Sequence, residues 1–189
     1  MTGFPTSARR VREPGLTPRD RLMALRECVK CFQPYGFRAT WHHVIVSANV
    51  PRLLEDDLDS LVRAVDELEQ ARAVWRSKSE EHAALRRREK ASGRRVPRRA
   101  DPWHAWAGLV AYCPDFEKHP TERLDVVLRR VISAFESGVD LTAQCRACAR
   151  ALTEDAPCPD CGVDPVGPTA VRRVGTVHRW REVWLRSGS

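Results

Sequence analysis

Paired cysteines constrain the fold of this 189-residue chain more than any other feature. Six of its seven cysteines stand in three Cys-x-x-Cys pairs, which are Cys28/Cys31, Cys145/Cys148 and Cys158/Cys161. Two thiolates at this spacing can bind one metal ion from a tight turn, and two such pairs complete the tetrahedral site of structural Zn²⁺. The spacing therefore predicts a zinc ion held by Cys145, Cys148, Cys158 and Cys161.

The second and third pairs resemble a short zinc ribbon. Nine residues separate Cys148 from Cys158, and the sequence Cys-Pro-Asp-Cys-Gly from Cys158 to Gly162 is typical of the metal-binding knuckle of such ribbons. The resemblance covers residues 145–162 only. It implies a small metal-held module, which we place at residues 139–166, and it implies no particular activity.

The first pair, Cys28 and Cys31, needs further ligands if it binds a second zinc ion. Three sets are available in the sequence: His42 with His43, Cys113 with His119, or Cys145 with Cys148. A pair of free thiols at a helix end is the alternative. We therefore expect one zinc ion and consider a second one open.

Outside the cysteine pairs, the pattern predicts a mainly α fold with small β and zinc-ribbon elements. Residues 1–16 contain Pro5, Pro14 and Gly15 and no apolar period, so we expect a flexible arm. Residues 17–138 form the predicted helical body, which opens with a helix that Thr17 can cap and that Pro18 suits in its first turn. Within it, residues 38–47 are rich in β-branched and aromatic types, which favours a short strand. Residues 167–189 form a basic tail that contains Trp180 and Trp184.

A long helix is predicted to begin near Pro51. Apolar residues then recur at steps of four and three positions, as in a coiled coil; they are Leu54, Leu58, Leu61, Val65 and Leu68. This seam, residues 54–75, can pack within its own domain. Alternatively, it can bind a protein partner or a second copy of the chain.

Charge is distributed unevenly along the chain, whose net charge is +7. Residues 86–99 concentrate basic side chains, while residues 50–70 and residues 101–164 each have a net charge of −5. Such a block binds a phosphate backbone with a steep dependence on salt. We therefore predict nucleic-acid contacts from Arg86, Arg87, Arg88, Lys90, Arg94, Arg95, Arg98 and Arg99.

Two classes of protein are not expected. The chain has no apolar run near the roughly 20 residues that a membrane-spanning helix needs, so we expect no membrane partner. The first residues also lack the apolar core of a secretory signal. We therefore expect a cytoplasmic protein, in which Cys-x-x-Cys pairs bind metal more often than they form disulfides.

A second, partial resemblance is to zinc-stapled HNH endonucleases. It comprises Cys28-x-x-Cys31, the segment Ala39-Thr40-Trp41-His42-His43-Val44-Ile45, and Leu141-Thr142-Ala143-Gln144-Cys145-x-x-Cys148. In that family the histidine that matches His43 activates water at the end of a strand. The neighbouring position, here His42, helps to hold a catalytic Mg²⁺. The resemblance would thus imply a metal-dependent nuclease.

Together these patterns favour a zinc-binding, nucleic-acid-binding protein with a regulatory or accessory role. In this interpretation zinc is structural and no residue is catalytic. An adaptor that binds a protein through the ribbon, the seam or the tail is the first alternative. A nuclease that uses His43 is the second.

Overall fold

The protein is described by a computed structural model that covers residues 3–34, 36–96, 122–139, 144–145, 148–152 and 156–162. Within these ranges the chain is mainly helical, as predicted. The helices are α1 (Phe4–Arg12), α2 (Pro18–Cys31), α3 (Phe37–Ser47), α4 (Asp59–Ala91) and α5 (Leu124–Glu136), with a 3₁₀ turn at Leu54–Asp56. An antiparallel bridge between Gln144 and Ala151 is the one β pairing in the same ranges.

The flexible arm predicted at residues 1–16 is wrong for the part that the structure describes, because Phe4–Arg12 form helix α1. Phe4, Ala8 and Val11 recur at helical spacing and are buried in the main core. The guanidinium of Arg12 binds Asp66 at 2.5 Å and Glu69 at 2.6 Å, both on α4. Packing and these ion pairs therefore outweigh the irregular local sequence.

The strand predicted at residues 38–47 is also wrong, since this segment is helix α3. The buried side chains Thr40, His43 and Val44 lie on one helical face, which packs on α2, α4 and α5. Asn49, in the left-handed region at φ +52°, ends the helix, and Val50 N–H donates to Ile45 O at 2.9 Å. Burial against neighbouring helices overrides the weak β preference of the branched residues.

Helix α4 has 33 residues, begins later than predicted and continues through much of the basic block to Ala91. Leu61, Val65 and Leu68 have no exposed surface and belong to the same core as α1, α2 and the start of α5. The seam thus packs within its own chain. These three side chains are not available to the coiled-coil partner that was the alternative.

Helix α2 begins as its sequence predicts. Thr17 Oγ1 accepts a hydrogen bond from Asp20 N–H at 3.2 Å, and Pro18 occupies the first turn. Among the described helices, none combines the length and the apolar character that a bilayer crossing demands. Arg98, Arg99 and the predicted tail 167–189 lie outside the described residues.

Candidate metal centre and its anchor

Four cysteines lie together in one group. The Sγ atoms of Cys145, Cys148, Cys158 and Cys161 are all within 4.8 Å of one another, and all four residues are buried. Each residue offers one sulfur ligand, so the group can hold one metal ion. The module expected from the sequence is thus present as a cluster of potential ligands.

Two turns of the same construction build this cluster. Ala149 N–H donates to Cys145 O at 2.7 Å, and Gly162 N–H donates to Cys158 O at 2.7 Å. Both Ala149 and Gly162 adopt left-handed backbone conformations, at φ +58° and +61°. In each turn the residue after the second cysteine reverses the chain, which brings the two thiols of that pair to the same side.

Without a cation the thiols of Cys148 and Cys161 favour their protonated forms. Hydrogen bonding to Cys145 raises the pKa of Cys148 to about 12. Hydrogen bonds to Cys145 and Cys148, followed by burial, raise the pKa of Cys161 as well. A metal ion binds thiolates, so its binding releases these protons and makes the affinity depend on pH.

A cluster of charged side chains, which we call the anchor, joins the metal module to α5. Arg130 donates to Cys148 O at 2.7 Å and to both carboxylate oxygens of Glu122 at 2.8 Å. Arg150 donates to Glu122 Oε1 at 2.8 Å, and its Nε lies 2.8 Å from Asp160 Oδ2. Hydrogen bonding from Arg130, with a further contribution from Arg150, lowers the pKa of Glu122 to about 2.

The buried carboxylate of Glu67 forms a hydrogen bond with the first turn of α5. Glu67 Oε1 accepts a hydrogen bond from Leu124 N–H at 2.6 Å, and both Glu67 oxygens accept from Ser47 Oγ. His43 Nε2 lies 2.9 Å from Glu122 O. Burial raises the pKa of Glu67, while the hydrogen bonds from Leu124 and Ser47 oppose that shift. Glu67 thus caps α5, as an acidic group at a helix N-terminus should.

The geometry required by the nuclease resemblance is not found. His43 lies on a helix rather than a strand and has no exposed surface, so its ring cannot reach a water-exposed substrate. Cys145 and Cys148 group with the third cysteine pair and not with the first. His42, which is partly exposed, lies one residue away on α3.

Cys28 and Cys31 differ in environment. Cys28 is fully buried, with its Sγ 4.0 Å from Phe4 O, and burial raises its pKa to about 12. Cys31 is exposed. Within the described ranges neither cysteine belongs to a group of three or more potential metal ligands, whether with His42 and His43 or with other residues. Cys113 and His119 lie outside those ranges, so a second zinc ion stays a prediction.

The predicted basic residues fall into two groups. Arg86 forms an ion pair with Glu89 and donates to Arg95 O at 3.1 Å, so its guanidinium is bound within the chain. The others that the structure describes are exposed at the end of α4 and just beyond it: Arg87, Arg88, Lys90, Arg94 and Arg95. We call this set the α4 basic end.

Sequence reasoning missed the anchor. Its only local signals were Arg150, two residues after Cys148, and a Glu122–Arg130 pair separated by about two helical turns. Those signals do not say that the module docks on α5. No protein-family model, no curated protein and no solved structure matches the chain, so its function is argued from this geometry.

Proposed function

We propose that this chain binds nucleic acid and that its four-cysteine module contains a structural zinc ion. The observation that carries the proposal is the α4 basic end, where five cationic side chains are exposed within nine residues, from Arg87 to Arg95. In this proposal the zinc ion stabilises the module and takes no part in a reaction.

Zinc is the metal that best suits the ligand set. Four buried thiolates form a closed site, without the open coordination position that a catalytic zinc ion keeps for water. The left-handed turns after Cys148 and Cys161 support the same role, because they hold each thiol pair on one side. A zinc ion in such a closed site stabilises the fold and is not catalytic.

The exposed cations at the end of α4 support a phosphate partner. Glu89 is the one acidic residue between Arg86 and Arg95, and Arg86 is bound to it. Between Arg86 and Arg95 there is therefore no other carboxylate to balance the five remaining positive charges. Since each phosphate that is neutralised releases counterions, five contacts give a log–log salt slope of about −4.5.

Fluorescence anisotropy with labelled single-stranded and duplex oligonucleotides tests the proposal. With duplex oligonucleotides we expect binding at low salt, through these five contacts, that weakens roughly 500-fold between 50 and 200 mM salt. With single strands, at about 0.7 per contact, binding should weaken roughly 130-fold. The triple variant Arg87→Gln/Arg88→Gln/Lys90→Gln should reduce the slope by about 2.7, or 0.9 for each lost contact.

The matched control is Arg9→Gln/Arg10→Gln/Arg19→Gln, which removes the same charge from exposed positions on α1 and α2. It should leave the slope close to that of the unmodified protein. Equal effects of the two triple variants would mean that net charge alone matters. Absence of binding at low salt would overturn the proposal and leave the adaptor interpretation.

A further inference from the structure

An open groove lies between α5 and the metal module. It has a volume of 590 Å³. One wall is a face of α5 on which Arg129 and Ser133 are one turn apart, and Ser137, just beyond the end of the helix, continues it. The other wall comes from the module and includes Arg150 and Gln144; Arg130, Ala134, Val139, Ala149 and Ala151 complete the lining.

The charge of this lining is opposite to that of the sequence around it. Residues 101–164 contain 6 basic and 11 acidic residues, a net charge of −5. Three of those basic residues, Arg129, Arg130 and Arg150, line the groove, and none of the lining residues that the structure describes is acidic. The fold therefore brings together three arginines that the net charge of residues 101–164 does not reveal.

The three guanidinium groups are not equivalent. Glu122 binds both Arg130 and Arg150, and Asp160 also binds Arg150, so the charges of these two arginines are balanced within the protein. Arg129 is 65% exposed, and its Nε is 3.9 Å from Asp125 Oδ2, at the outer limit of an ion pair. Arg129 is thus the cation with the most freedom to contact an anion.

We propose that this groove binds a backbone phosphate of the nucleic acid, with Arg129 as the main contact and the hydroxyls of Ser133 and Ser137 as further donors. Arginine, serine and backbone donors are the usual contacts to phosphate oxygens. The inference rests on the proposed function. It adds a second contact, remote in sequence from the α4 basic end and built next to the metal module.

The anisotropy assay on the zinc-loaded, full-length protein tests this contact. Arg129→Gln should reduce the log–log salt slope by about 0.9. The matched control is Arg76→Gln, because Arg76 is 59% exposed and also has a loose ion pair at i,i+4, with Glu80 at 3.6 Å. That variant should leave the slope unchanged. Ser133→Ala should weaken binding without changing the slope, since it removes a donor and no charge.

Inorganic pyrophosphate provides a readout that does not depend on nucleic acid. In NMR spectra it should shift the Arg129 side-chain N–H signal and the amides of Ser133 and Ser137, and Arg129→Gln should abolish the amide shifts. If nucleic acid binds but Arg129→Gln behaves like Arg76→Gln, the groove proposal is wrong and the proposed function stands. If pyrophosphate shifts these signals while no oligonucleotide binds, the groove is a phosphate site and the proposed function fails.

Discussion

At the scale of single residues, Gly162 sets the geometry of one metal-binding turn. Its φ of +61° is costly for any residue with a Cβ, although a Cβ built there would meet no atom within 4 Å. Gly162→Ala should therefore have a purely conformational cost of about 1 kcal/mol. We expect the Zn²⁺ affinity to fall roughly fivefold, as measured by competition with a chromophoric chelator.

Gly93 provides the control for this substitution. It has φ +83°, and a Cβ built there likewise meets no atom within 4 Å, but it lies just beyond α4 and outside the metal module. Gly93→Ala should lower the free energy of unfolding by a similar amount and leave the Zn²⁺ affinity unchanged. An equal loss of affinity in both variants would show that the turn geometry is not the cause.

At the scale of elements, Glu122 holds the metal module against α5. Its folded pKa, about 2, is below the usual value of 4.5, so its stabilising contribution is complete above pH 4.5 and disappears as the pH falls toward 2. Glu122→Gln should lower the free energy of unfolding by about 2 kcal/mol at pH 7, since it removes charge-assisted hydrogen bonds. The difference from the unmodified protein should shrink between pH 5 and pH 3 in denaturant titrations.

Glu27→Gln is the matched control, because it makes the same chemical change in an ion pair confined to the surface of α2, with Lys30 at 2.6 Å. Exposed pairs of this kind contribute about 0.5 kcal/mol or less. A pH-independent difference for Glu122→Gln, or an equal effect of Glu27→Gln, would contradict the role assigned to Glu122.

At the scale of the whole molecule, the anchor connects metal binding to the helical body. Arg130 binds Cys148 O and Glu122, and the Glu122 carbonyl faces His43. Removal of the metal with a chelator should therefore speed hydrogen exchange of the α5 amides as well as those of the module. The amides of α1 and α2 should keep their protection, since those helices pack on each other and on α4.

The metal content of the same protein preparations shows which cysteine pairs bind zinc. Cys158→Ser should lose the zinc and reproduce the exchange pattern of the chelated protein. Cys31→Ser, at an exposed position, should retain one zinc ion per chain. A loss of metal in Cys31→Ser would reveal a second site that includes Cys28 and Cys31.

The sequence predicted the structure correctly where the interactions join residues close in sequence, and incorrectly where they join distant residues. The spacing of Cys145, Cys148, Cys158 and Cys161 identified their cluster, because two knuckles with a short spacer restrict how four thiols can meet. The cap at Thr17 was equally local. By contrast, α1 and α3 depend on burial against helices that are distant in sequence, and local patterns predicted an arm and a strand instead.

The same limit explains what was missed at the site. Arg129, Arg130 and Arg150 line one groove only because the module docks on α5, and that docking depends on Glu122. A count of charge along residues 101–164 averages these cations with acidic side chains that are not among the described residues of the groove lining. Charge patterning found the α4 basic end because its residues lie within nine positions of the sequence.

The carboxylate that caps α5 has a consequence for the order in which the chain can fold. Glu67 belongs to α4 and is 57 residues from Leu124, whose N–H it accepts. The buried face of α4 is itself covered by α1 and α2, which are synthesised earlier. Helix α5 and the metal module thus find their support in parts of the chain that are synthesised before them, whereas α1 packs on α2 and α4, which follow it.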